Sequence, residues 1–210
     1  MNILFIDLET TGKANFNGPS DSEFQPRIVQ LGALLCDYYM QEMASVNIII
    51  KPRIEIPKEA AAIHGITNER AKEFGVMAFH ALYVVQNLLK RCELVVAHNH
   101  QFDWFVLQGE FARESIDLPA RDGFCTMKAM TPICKLPGTY DKYKWPRLGE
   151  AYQHAFKKEL KGAHDAMADV RACKEIYYWL KNTAPEIPSA DPPRLLSTEE
   201  LAQGMRKAAQ

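Results

Sequence analysis

Phe5-Ile6-Asp7-Leu8-Glu9-Thr10-Thr11-Gly12 is the stretch on which the reading of this chain turns. Residues 3–6 form a short apolar, β-prone run, and Thr-Thr-Gly closes the segment with turn chemistry. Side chains two apart on a strand share a face, so Asp7 and Glu9 set two carboxylates side by side at the end of an apolar strand. Like charges a few ångströms apart raise one another's pKa unless a cation lies between them, and hard oxygen ligands of this kind suit Mg²⁺ or Mn²⁺. A strand end that has simply reached solvent is the plainer explanation, and a lone D-x-E does not separate the two.

Outward from this strand, residues 28–36 and 44–50 read as two further strands that can pair with the first as a meander. Lys13 to Arg27, rich in Gly, Asn, Ser, Asp and Pro, reads as a long mobile loop. Apolar residues at three- and four-residue steps from Ala71 to Arg91 predict one amphipathic helix. A fourth strand follows at Leu94–Ala97, then a helix over 101–113 with Asn99 available as its cap, and helices at 125–133, 147–157 and 166–182. Pro132, Pro137-Gly138 and Pro146 make the intervening stretch irregular, aromatic and basic.

Two more clusters carry chemistry. His98-Asn99-His100-Gln101-Phe102-Asp103 follows the fourth strand and opens a helix, and in an open α/β sheet the crevice at the strand carboxyl ends is the usual ligand site. Asp103 joins Asp7 and Glu9 if strands one and four are neighbours; otherwise it is an acid in a first helical turn, favourable for the dipole alone. In His164-Asp165-Ala166-Met167-Ala168-Asp169, an Asp165 cap puts Asp169 in the first turns of the last helix and leaves His164 in the preceding loop. The two can then reach one site from different sides.

In this order the motifs D-x-E, H-N-x-x-F-D and H-x4-D closely resemble those of the DEDDh exonucleases, which include the proofreading ε subunit of bacterial DNA polymerase III and stand-alone or phage-encoded relatives. The resemblance covers about residues 1–182 and implies an α/β, ribonuclease H-like fold: a central five-stranded mixed sheet flanked by helices. It implies 3′→5′ removal of nucleotides from DNA in proofreading or repair, with two divalent ions, Mg²⁺ or Mn²⁺. By the family's pattern Asp7 bridges both ions, Glu9 and Asp169 hold the one that binds the attacking water, and Asp103 acts on the second through water. His164 is the general base, with His98 the alternative. Glu59-Ala-Ala-Ala-Ile-His64-Gly65-Ile66-Thr67 looks like the family's E-x4-H-G-I segment, whose acid and histidine contact the terminal nucleotide; without the resemblance it reads as a short helix ending at a glycine cap. Thr10, Thr11, Asn99 and Phe102 are further substrate-binding candidates, and Trp104, Tyr140, Tyr143 and Trp145 are candidates for base stacking or for plain packing. The H-G-I-T segment leans towards DNA. An RNA-trimming exoribonuclease, a non-catalytic nucleic-acid-binding module and a phosphohydrolase using His164-Asp165 are the alternatives.

At 210 residues with 47% apolar content the chain is long enough for one sizeable core. Residues 1–182 are expected to form it, with 183–210 a Pro-rich tail that can end in a short helix and is a candidate site for a polymerase subunit. Net charge is −1, yet Lys128 to Lys161 holds eight bases against three acids, a local surface for phosphates if chemistry lies beside it. Five scattered cysteines with no C-x-x-C pair argue against a disulfide framework or structural zinc. The start of the chain has no signal-peptide pattern and no segment reads as a membrane span, so a soluble, unprocessed, cytoplasmic protein is expected.

Overall fold

The strand that carries Asp7 and Glu9 lies at the centre of a five-stranded mixed sheet. The computed structural model describes residues 1–139 and 142–183. The strands are β1 (Ile3–Thr10), β2 (Ile28–Cys36), β3 (Glu42–Ile49), β4 (Leu94–Ala97) and β5 (Asp122–Cys125), in the order β3-β2-β1-β4-β5. β1, β2 and β3 form the expected antiparallel meander, while β4 runs parallel to both β1 and β5. Among the described residues seven helices surround them: α1 (Lys58–His64), α2 (Asn68–Phe74), α3 (Ala78–Leu89), α4 (His100–Arg113), α5 (Thr126–Cys134), α6 (Leu148–Phe156) and α7 (Ala166–Thr183).

Alternation along β1 sends Leu4, Ile6 and Leu8 into a core shared with α3 and α4, and Ile3 and Phe5 into a second core shared with α5, α6 and α7. Helices therefore cover both faces, which is why β4 reads as an unbroken apolar run and β2 as one interrupted only by Gln30 and Gly32. Among the described residues no helix is long and apolar enough to cross a membrane.

The single helix expected from Ala71 to Arg91 is two. Gly75 leaves the helical region at φ −78°, ψ 138°, and Val76 enters a short β pairing in which it donates to the Ile49 carbonyl and accepts from the Lys51 amide, both at 2.9 Å. A Cβ on Gly75 would sit 2.8 Å from the Lys51 nitrogen, so the residue that ends α2 also permits this approach. Phe74 and Met77, placed on the buried face by periodicity, are exposed as a result. The fifth strand, Asp122–Cys125, was not located by pattern because four residues around a glycine are too few to show alternation.

The 13–27 segment is irregular as expected, but it is fastened rather than free. Gln25 bonds the Asn15 amide and the carbonyls of Asn15 and Pro19, while Arg113 donates to the carbonyls of Ser20, Asp21 and Ser22. Beneath it Arg27 and Glu110 form a buried two-point ion pair at 2.6 and 2.9 Å. Gly109 leaves room for the loop, since a Cβ there would lie 2.1 Å from the Ser20 carbonyl. The tail from 184 onward, with the polymerase contact suggested for it, lies outside the described residues.

Candidate active site

Asp7 and Glu9 continue the face of β1 that begins with Ile3 and Phe5, so they emerge where that face meets the start of α7. Across the ladder Asp7 pairs with Gly32 and Glu9 with Gln30. Both β2 residues exist to receive α7. A Cβ on Gly32 would lie 2.6 Å from the Ala166 carbonyl, so only glycine lets the helix start this close to the sheet. Buried Gln30 fixes the same spot: its Nε2 donates to Asp165 Oδ2 at 3.0 Å and its Oε1 accepts the Ala166 amide at 3.3 Å. Asp165 caps the helix through Oδ1, which accepts the Ala168 amide at 3.1 Å.

Asp169 lies one turn further on, and its Oδ2 accepts the backbone amide of His164 at 3.1 Å. Asp169 Oδ1 is buried with no hydrogen-bond partner among the described residues. His164 itself is exposed, in a left-handed conformation (φ 68°) on the loop before the helix. From the other side of the sheet, α4 delivers Asp103, 3% exposed, whose Oδ1 accepts the Leu8 amide at 3.1 Å. The β1–β4 adjacency that the sequence required for this meeting is present.

The carboxylates feel one another. Burial, followed by the charges of Asp103, Asp169, Glu9 and Asp165, pushes the Asp7 carboxyl well above its ordinary range. Glu9 rises to about 7 through burial and the charges of Asp169 and Asp165. Burial raises Asp169 against the opposing pull of His164, and raises Asp103 against the amides of Leu8 and of Asp103 itself. Glu9, His164 and Asp169 each offer an atom within 4.8 Å of the others. An oxygen-rich cluster with raised pKa values and an unpartnered buried oxygen fits a hard divalent cation, which would relieve the repulsion and engage Asp169 Oδ1.

The remaining candidates divide. His64 is buried at the end of α1, and its Nδ1 accepts the Ile66 amide at 3.1 Å, which leaves the hydrogen on Nε2. Nε2 is buried without a hydrogen bond among the described residues, and burial lowers the His64 pKa despite the nearby Thr10 carbonyl. Glu59 sits exposed on the same helix, whose Gly65 takes the left-handed cap expected of the plainer helix reading. Thr11 is occupied structurally, its hydroxyl accepting the Arg27 amide at 2.9 Å, and the Thr10 hydroxyl donates to the Gly12 carbonyl at 2.7 Å. Asn99 takes the N-cap position of α4 in a left-handed conformation (φ 78°) without capping through its side chain, and Phe102 packs half-buried against the α3–α4 core. Trp104 is not available for stacking on a base: it is buried against the His100 ring. Tyr143 and Trp145 are exposed, whereas Tyr140 lies outside the described residues.

His98 is not placed to act as a base. Its Nε2 can only donate to the Pro146 carbonyl at 3.0 Å, so its Nδ1 accepts the Thr126 hydroxyl at 2.9 Å, and burial lowers its pKa to about 4. Sequence reasoning missed Gln30 and Gly32. A glycine inside an otherwise unbroken apolar strand signals a close backbone approach and was the available clue for Gly32; nothing local marks Gln30.

Residues 4–177 match the RNase T family model, described as an exonuclease. The uncharacterized exonuclease CP81 of Escherichia phage 186 is 27% identical over 185 residues, which cover 80% of this chain and 82% of that protein. Escherichia coli Exonuclease I in complex with a dT13 oligonucleotide is similar with a TM-score of 0.72 at 23% identity over 89% of this chain. The same enzyme in its ExoI/SSB-Ct complex gives 0.71 at 21% over 88%. This chain spans only 42% of Exonuclease I in each case, and the likeness is one of fold, in agreement with the expected ribonuclease H-like architecture. With the family match covering sheet, helices and acid cluster together, the chain belongs to the RNase T exonucleases, of the DEDDh type.

Proposed function

We propose that the protein is a divalent-metal-dependent 3′→5′ exonuclease that removes nucleoside monophosphates from the 3′ end of DNA, preferring single-stranded or frayed ends. The observation that carries the proposal is the meeting of Asp7, Glu9, Asp103 and Asp169, from three separated segments, in one site with His164 beside it. Two Mg²⁺ or Mn²⁺ ions would be held by these carboxylates and, when bound, would supply an activated water and neutralise charge on the phosphoryl and leaving oxygens. Asp7, whose carboxyl is surrounded by the other acids, would hold the metal directly together with Glu9 and Asp169. Asp103 has one oxygen committed to the Leu8 amide, which suits a ligand acting through water.

His164, exposed beside Glu9 and Asp169 on the loop before α7, takes the proton of the attacking water as general base. The unpartnered Nε2–H of His64 is a donor in waiting for the sugar or base of the terminal nucleotide, with Glu59 on the same helix. Thr10, Asn99 and Phe102 lie on the segments that carry Glu9 and Asp103, and are the further substrate contacts of this reading. Support for DNA comes from the H-G-I-T segment and from the DNA oligonucleotides bound to Exonuclease I. A cytoplasmic setting belongs to the same proposal.

The test offers 5′-labelled DNA and RNA oligomers with free or blocked 3′ ends, with and without EDTA. A ladder from the free 3′ end of DNA is expected, lost with chelator, and lost in Asp7→Ala and Asp169→Ala while some single-stranded DNA binding survives. Full, EDTA-resistant cleavage by either variant removes the site; a ladder on RNA alone reassigns the substrate.

A further inference from the structure

The stretch between α5 and α6 is not absorbed by the chemistry above, yet it is attached directly beside it. We infer that its described end, residues 142–147, is a docking arm for single-stranded DNA, with Tyr143 and Trp145 stacking on bases of the strand whose 3′ end occupies the acid cluster. This rests on the exonuclease reading of that cluster and extends it to the upstream nucleotides.

The first support is attachment. Tyr143 bridges back to Pro137, and the Lys144 amide donates to the Leu136 carbonyl at 3.0 Å, so the stretch doubles back on itself. Gly138 permits that closure, since a Cβ there would lie 2.3 Å from the Lys142 carbonyl. Pro146 is buried, and its carbonyl accepts from His98 Nε2. Phe5 pairs with Val96, and His98 stands two residues beyond Val96 as Asp7 stands two beyond Phe5. His98 thus leaves the neighbouring strand at the level of Asp7, and its ring holds the arm on the order of 10 Å from the acid cluster.

Behind His98 the hydrogen bonds have one consistent direction. The Thr126 hydroxyl has a single hydrogen; with His98 Nε2 donating to Pro146, that hydrogen goes to Nδ1 at 2.9 Å in preference to the Ala97 carbonyl at 3.4 Å, and at 3.5 Å from Cys173 Sγ the hydroxyl accepts from the buried thiol. A neutral imidazole is required, in keeping with its lowered pKa. His98 is therefore a positioning residue, fixing the arm to the strand end that precedes Asp103.

The second support is surface chemistry. Trp145 is 59% exposed and Tyr143 50%, although Pro146 beside Trp145 is buried. Exposed aromatic rings among cations are what a sequence-tolerant single-strand surface needs, since every base has a π-face and every linkage a charge. Lys142, Lys144 and Arg147 are exposed on the arm, and Lys157, Lys158 and Lys161 on the loop that runs into His164. Of the arm's cations, Lys144 is committed to Glu150 at 2.6 Å. A partner strand of phosphates complements this surface; an acidic or apolar protein surface is the competing occupant.

The experiment measures binding of fluorescein-labelled dT12 in EDTA, where no turnover occurs, together with tryptophan emission. Trp145→Ala and Tyr143→Ala are each expected to weaken binding by about tenfold, Trp145→Phe to retain most of the affinity, and dT12 to quench an emission component that Trp145→Phe lacks. Wild-type affinity in both alanine variants, with no quenching attributable to Trp145, overturns the arm and leaves the surface to a protein. The quenching is read on the native protein, so a variant that misfolds does not shelter the idea. Hydrolysis of thymidine 5′-monophosphate p-nitrophenyl ester by the wild type with Mn²⁺ tests the acid cluster by itself. Failure there sinks the nuclease reading, and failure only in the binding arms sinks this one.

Discussion

Glu9 gives a pH dependence whose sign and size follow from the site. Its carboxyl titrates at 4.5 when unfolded and at about 7 in the folded, metal-free protein. Between those values the folded state holds a proton that the unfolded chain has released, so stability falls as pH rises through the window and the loss is complete above it. The full shift corresponds to roughly 3 kcal/mol; Glu9 is partly open to solvent, which screens it, so about 2 kcal/mol is a fairer figure. For a domain of this size that is about 4–8 °C in melting temperature. The assay is thermal unfolding of wild type and Glu9→Gln in EDTA from pH 4.5 to 8.5. The two should coincide at the acid end and separate by about 2 kcal/mol at pH 8, with Glu9→Gln the more stable. Saturating Mn²⁺ should reverse the order, since a ligand at a hundred times its Kd adds about 2.7 kcal/mol to the protein that binds it. Parallel pH curves in EDTA, or a Glu9→Gln that is less stable at pH 8 without metal, would refute the electrostatic account.

Other expectations follow from neighbouring contacts. His164→Ala should lower the cleavage rate by a factor of about 10²–10⁴ while Mn²⁺ binding by calorimetry persists; a normal rate removes His164 as base, and His98, with both nitrogens engaged, cannot replace it. Glu110→Gln should cost about 3–5 kcal/mol in urea unfolding by stranding Arg27, whereas Arg27→Met with Glu110→Leu should recover most of the loss; equal losses would mean that charge pairing is not what fastens the 13–27 loop. Gly32→Ala should lower stability by about 1–3 kcal/mol and weaken Mn²⁺ binding as well, because the new Cβ pushes on the Ala166 backbone. An unchanged metal affinity would show that α7 moves without disturbing Asp169.

Much of this was legible in the chain. Period-two alternation placed Asp7 and Glu9 on one face, and turn and cap chemistry placed Asp103 and Asp169 in the first turns of their helices and His164 in the loop before the last of them. The meander was readable because β2 is long and, apart from Gln30, apolar. What stayed hidden is tertiary. Gly75 looked like one weak residue in an otherwise periodic helix, and only its approach to Lys51 makes it a break. Gln30 looked like a polar lapse in a buried strand until α7 arrived opposite it. The order of the 13–27 loop depends on Arg113 and Glu110, some 90 positions away, which no local window can join to it.

Gln30 and Gly32 hold the last helix against a strand made near the very beginning of the chain. A polypeptide still emerging from the ribosome owns Asp7 and Glu9 long before it owns Asp169, and so carries only a fragment of the blade. The acid cluster is therefore assembled late: its carboxylates can meet only after translation has passed the start of α7 and that helix has seated on Gln30 and Gly32.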